Sequence, residues 1–196
     1  MPERLPRPLH LLWIKCGPVT PPNTGGRLRS CQMLRALHQR HDVHFLCLGT
    51  EEFNDGAAYA SHVEFLPQPV PVRGSAAFLW RALRNLFSRL PMALELYHSP
   101  ALTARLRQLV AEHDVDLIVC DFLMPALSVP QELRGRCVLF QHNMEAQIWE
   151  RMAAAAGNPL KRRYLQSQCQ RMRSQEIELS RQFARVITVS EADSRF

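Results

Sequence analysis

The chain has 196 residues, 46% hydrophobic and 21% charged, with a formal net charge of +6. That balance describes a folded globular protein and not a disordered one, and the length suits a single domain over residues 1–196, or one domain with an appended piece. No apolar run approaches the roughly 20 residues that a membrane span needs. The opening Met1-Pro-Glu-Arg-Leu-Pro-Arg-Pro8 lacks the apolar core of a secretory signal, so a cytoplasmic location is expected. The excess of Arg favours anionic partners without choosing among phosphates, acidic lipids and nucleic acid. Six cysteines, Cys16, Cys31, Cys47, Cys120, Cys137 and Cys169, form no C-x-x-C pair. Several fall inside apolar patterns, which reads as buried reduced thiols and not as a zinc site or a disulfide framework.

In chain order, residues 9–15 read as a strand. A loop rich in Pro and Gly follows, from Cys16 to Gly26, and then a helix over 27–40 with Leu28, Cys31, Leu34 and Leu37 at helical spacing. Strands follow at 43–48 and 62–66. Pro67, Pro69 and Pro71 then force an extended connector. Residues 75–90 form an amphipathic helix. Leu79, Leu83, Leu86, Phe87 and Leu90 share one side, with Trp80 beside them, and Arg81, Arg84, Asn85, Ser88 and Arg89 lie on the other. Such a helix faces a core with its back to solvent. With Trp, Phe and Leu opposite purely positive charge, it also fits an anionic membrane surface. A helix over 100–112, a strand over 116–120, a short Pro-punctuated piece over 122–129 and a strand over 137–141 come next. A helix then runs to about Ala156, Gly157-Asn-Pro159 breaks it, and a long basic helix spans about 160–182. A strand over 185–190 leads into a helix opening at Glu191.

Strands that alternate with helices and read as continuous apolar runs predict an α/β fold, a Rossmann-like parallel sheet with helices on both faces. Ligands of such sheets bind outside the carboxyl ends of the strands. Three polar clusters are expected on that rim: Thr24-Gly-Gly26, His142-Asn-Met-Glu145 and Ser190-Glu191. The Gly pair opens a helix, where backbone N–H groups and the helix dipole favour an anion and no Cβ holds it away. This is neither G-x-G-x-x-G nor a P-loop, and a plain strand-to-helix turn gives the same pattern. Ser190-Glu191 is likewise compatible with an ordinary helix start. Asp121 also falls on the rim, where it can serve the site or cap the following turn.

Three segments together resemble family-4 glycosyltransferases of the GT-B fold, in order and over nearly the whole chain. They are the strand followed by Pro-Pro-Asn-Thr-Gly-Gly-Arg-Leu-Arg-Ser30, Phe140-Gln-His-Asn-Met-Glu145 with Ile148-Trp-Glu-Arg151, and Val186-Ile-Thr-Val-Ser-Glu-Ala-Asp193. The resemblance implies transfer of a sugar from a nucleotide-diphosphate donor, with retention of configuration, to a glycan or lipid-linked acceptor, as in polysaccharide biosynthesis. It implies no cofactor and no metal beyond the nucleotide-sugar co-substrate. Matched by position, Gly25 and Gly26 would contact the donor diphosphate. His142 would sit beside the transferring sugar as the catalytic candidate, and Asn143, Glu145, Ser190 and Glu191 would position groups in the cleft. The family's donor-binding half does not appear in these residues. The expectation is an N-terminal, acceptor-side domain that turns over little without its donor-binding half, held in the full-length protein or in a partner chain.

A different class of reading is a non-catalytic binding or scaffold module. It would use the basic helix, with Lys161, Arg162, Arg163, Arg171 and Arg173, to meet an acidic partner, a membrane surface or nucleic acid. Tyr164 stands there without the aromatic interleaving that stacks bases, so nucleic acid is the weakest of these partners.

Overall fold

The computed structural model describes residues 7–50 and 56–190. Its strands are β1 (His10–Cys16), β2 (Asp42–Leu48), β3 (His62–Leu66), β4 (Leu117–Asp121), β5 (Cys137–Gln141) and β6 (Arg185–Thr188). They form one parallel sheet in the order β3-β2-β1-β4-β5-β6. Its helices are α1 (Gly25–His38), α2 (Ala76–Asn85), α3 (Met92–Tyr97), α4 (Pro100–Glu112), α5 (Gln131–Arg134), α6 (Glu145–Ala154) and α7 (Pro159–Ser180). The Rossmann-like α/β fold expected from the alternating pattern is the fold observed.

Alternation along each strand builds two cores. Leu11, Trp13, Val43 and Phe45 face α1, where Cys31 and Leu34 close the layer. Leu12, Ile14, Ile118 and Leu139 face the other way, onto Leu94 of α3, Leu102 and Leu106 of α4, and Met172 of α7. Local chemistry sets the helix starts. The Thr24 side chain accepts from Arg27 N–H at α1 and Ser75 from Phe78 N–H at α2; Ser99 caps α4 and Asn158 caps α7. Pro100 and Pro159 occupy the first turns of α4 and α7, where a missing N–H costs nothing. The six cysteines are free thiols, with Cys16 and Cys169 half-buried and the other four buried.

The segment 75–90 departs from the core-facing expectation. The helix stops at Asn85, and the apolar side chains expected to pack inward point out: Leu79, Trp80, Leu83, Leu86 and Phe87 are all exposed. The inward residue is polar. Buried Asn85 donates through Nδ2 to the Leu90 carbonyl (3.0 Å) and to Glu95 (2.6 Å), and accepts at Oδ1 from Gln168 Nε2 of α7 (2.8 Å). Arg171 of α7 donates to the Asn85 carbonyl at 2.6 Å and to that of Leu86 at 3.3 Å, where the last carbonyls of α2 lack helical partners. The bonds of Asn85 to Leu90, Glu95 and Gln168 therefore hold this side of α2 against the protein.

The basic helix α7 is largely structural. Leu165, Gln168, Met172, Glu176 and Leu179 form its buried face. Among its cations, Arg171 closes α2 and Arg162 donates to the Ala156 carbonyl at 2.9 Å. The contrast between core and α2 surface gives a direct check. Leu106→Ala should cost about 2–5 kcal/mol of unfolding free energy in urea, while Phe87→Ala should change it by no more than about 0.5 kcal/mol.

Candidate functional site

Strands β1 and β4 are neighbours from which the chain winds in opposite directions across the sheet. In open α/β sheets that switch point opens a crevice at the carboxyl ends. Lys15 near the end of β1 and Asp121 at the end of β4 stand opposite each other in register. Alternation puts both on the α1 face together with Trp13. The Asp121 carboxylate is fully buried. Its Oδ2 accepts from Trp13 Nε1 (3.0 Å), Lys15 Nζ (3.0 Å) and Ser30 Oγ of α1 (2.6 Å), and its Oδ1 bonds His142 Nε2 at 2.6 Å. Burial alone would raise this carboxyl, yet the bond from His142, the charge of Lys15 and the Ser30 hydroxyl hold it below the usual carboxylate range. Burial lowers the Lys15 ammonium, and Asp121 opposes that shift.

His142 follows β5 and is buried, with both ring nitrogens engaged. Arg29 of α1 approaches its Nδ1 at 3.3 Å. A guanidinium only donates, so Nδ1 accepts and the ring carries its proton on Nε2, toward Asp121. Phe122 covers the group. Its ring stacks on His142 at 4.0 Å and 5° and lies 4.1 Å from Lys15 Nζ. Phe122 takes a φ of 73°, a conformation costly for a residue with a Cβ, and its N–H is held by the Phe140 carbonyl at 2.9 Å. The same ring explains one of the two glycines. A Cβ on Gly26 would stand 2.7 Å from Phe122 Cζ, whereas one on Gly25 would meet nothing within 4 Å.

In front of this cluster lies a pocket of about 720 Å³, walled by Lys15, Gly17, Gly26, Arg27, Phe122 and Asn143. Gln68 and Tyr97 also line it. Gly25 and Gly26 begin α1, where helix geometry gives backbone N–H groups no internal partner. Thr24, Gly26 and Asn143 thus line one pocket, and Gly25 stands outside its lining. His142 supports that site from behind Phe122 and does not line it. Glu145 begins α6, half-buried, and burial together with neighbouring Glu176 raises its carboxyl to about 7. Glu176, buried on α7, accepts from the N–H groups of Glu145 (2.9 Å) and Ala146 (3.2 Å), so it closes the start of α6. Ser190 lies beyond β6, at the sheet edge away from the pocket wall. Glu191 lies outside the described residues. Asp121 does not act as a turn cap.

Lys15, Ser30, Arg29 and Phe122 were not singled out from the sequence. A lysine inside an apolar strand was the available sign of the buried pair, but its partner is 106 residues away. Cys16 also lines the pocket, and burial pushes its thiol upward, away from thiolate chemistry.

The family model described as Glycosyltransferase Family 4 matches residues 25–195, which take in α1, Asp121 and the His142 segment. The chain belongs to glycosyltransferase family 4. No curated protein sequence is significantly similar to it. Among solved structures, one of Phytolacca americana UGT2 complexed with UDP-2fluoro-glucose and pterostilbene is similar at a TM-score of 0.44 and 9% identity. That likeness covers 93% of this chain and 48% of the other, so this family-4 domain spans about half the length of that protein.

Two predictions test the site's electrostatics. Asp121→Ala leaves Lys15, Trp13, Ser30 and His142 facing an apolar gap and should cost about 3–5 kcal/mol in urea unfolding, with Asp121→Asn costing less. Glu145 carries a raised carboxyl, so its ionisation opposes folding. The penalty is absent at pH 4, builds as pH rises from 4.5 to about 7 and is complete at pH 8. Allowing for partial solvent exposure, Glu145→Gln should add about 1 kcal/mol at pH 8 and little at pH 4, read as a pH-dependent difference in melting temperature.

Proposed function

We propose that this domain forms the acceptor side of a retaining glycosyltransferase that moves a sugar from a nucleotide-diphosphate donor to a glycan or lipid-linked acceptor. One observation carries the reading. Within the family-4 match, the start of α1 and the residue after His142 wall the same pocket at the sheet's switch point. In this reading the Gly25 and Gly26 N–H groups, with Lys15 and Arg27 beside them, meet the donor diphosphate. Donors fixed in advance favour a leaving group that gains charge in the transition state. Asn143, exposed on the wall, positions a sugar or acceptor hydroxyl.

His142 serves the reaction as a positioning residue. Held between Asp121 and Arg29, it fixes the Phe122 ring that shapes the pocket floor. A second Rossmann-like unit, in the full-length protein or in a partner chain, supplies the nucleotide pocket, so residues 1–196 alone bind donor weakly and turn it over negligibly. The test is calorimetric titration of the 196-residue chain with UDP- and GDP-sugars, alongside a product assay. Weak binding is expected, about tenfold weaker in Gly26→Val and little changed in Gly25→Ala. Efficient turnover by this chain alone would overturn the division of labour. Binding indifferent to Gly26→Val would overturn the diphosphate assignment.

A further inference from the structure

We propose that α2 and the turn after it dock on an anionic membrane surface. The exposed side chains are large and contiguous. Leu79, Trp80 and Leu83 on α2 are 59%, 61% and 51% exposed, and Leu86 and Phe87 just past it are 48% and 90% exposed. At about 100° per residue these five fall on one arc, opposite the inward Phe78, Ala82 and Asn85. The arc is not a mispositioned core face, because Asn85 and its bonds to Gln168 and Arg171 hold the other side against the protein.

Charge selects the occupant. Between Phe65 and Leu94 the chain carries Arg73, Arg81, Arg84 and Arg89 and no acidic residue. The next carboxylate, Glu95, is taken by Asn85 at 2.6 Å. Leucine and aromatic side chains on a segment whose only charged residues are arginines match the boundary between acyl chains and acidic headgroups. A symmetric second copy would set the same arginines against themselves. No helix among the described residues is long and apolar enough to cross a membrane, so the contact is one that lies on the surface.

The experiment is vesicle flotation of the chain with phosphatidylcholine alone and with phosphatidylcholine containing phosphatidylglycerol. It needs neither sugar donor nor acceptor, so its failure would leave the glycosyl-transfer reading standing. Flotation with the anionic vesicles is expected to be about tenfold stronger than with neutral ones and to fall as salt is raised. Phe87→Glu and the pair Arg84→Glu with Arg89→Glu should each weaken it about tenfold, with the melting temperature unchanged. No flotation with anionic vesicles at low salt would overturn the proposal. So would flotation that Phe87→Glu leaves unchanged, or a dimer dispersed by Phe87→Glu without any change in flotation, which would assign the arc to a second copy.

Discussion

A fully buried carboxylate, that of Asp121, is the constraint on which the rest of the site depends. An isolated charge in such a place is untenable, so its oxygens must be filled by donors. The four donors come from three places in the chain: Trp13 and Lys15 on β1, Ser30 on α1 and His142 after β5. Satisfying one side chain therefore ties α1 to three neighbouring regions of the sheet's carboxyl edge. It also fixes the His142 tautomer, and through that ring the position of Phe122 over Gly26. The pocket floor is a consequence of this arrangement.

A second set of polar bonds orders the opposite face. Gln168 on α7 joins Asn85 to the start of α3, accepting the Met92 N–H at 2.8 Å, while Arg171 closes α2. Glu176, two turns further along α7, closes α6. One long helix thus positions three shorter elements through buried side chains. Its positive charge, which suggests a surface for acidic partners when read along the chain, is in part consumed inside the fold. The apolar residues left over on α2 lie outside because the polar anchor fixes the helix's rotation.

The span matched by glycosyltransferase family 4 takes in two parts of the pocket wall, the start of α1 and Asn143. The helix start, the two cations beside it and the exposed Asn143 share one wall of the sheet's switch point. The buried His142 gives that wall its shape.

The sequence by itself determined the elements and their layering, because hydrophobic periodicity and end-capping are local. The six strands, a helix start at the Gly pair, the break at Gly157-Asn-Pro159 and the two-sided sheet follow from residues close together in the chain. The short α3 and α5 did not, since six and four residues carry too little periodicity. Nor did the direction α2 faces, because the same amphipathic pattern serves a core or a surface, and the deciding bonds reach from Asn85 across 83 residues to Gln168. The rim clusters were legible in part. Gly26 and Asn143 converge, whereas Ser190 sits at the far edge and His142 turns inward. Only the tertiary structure decided that Asp121 is a buried hub and Lys15 its counter-ion, because a buried charge chooses partners by proximity in space, and sequence spacing does not encode it.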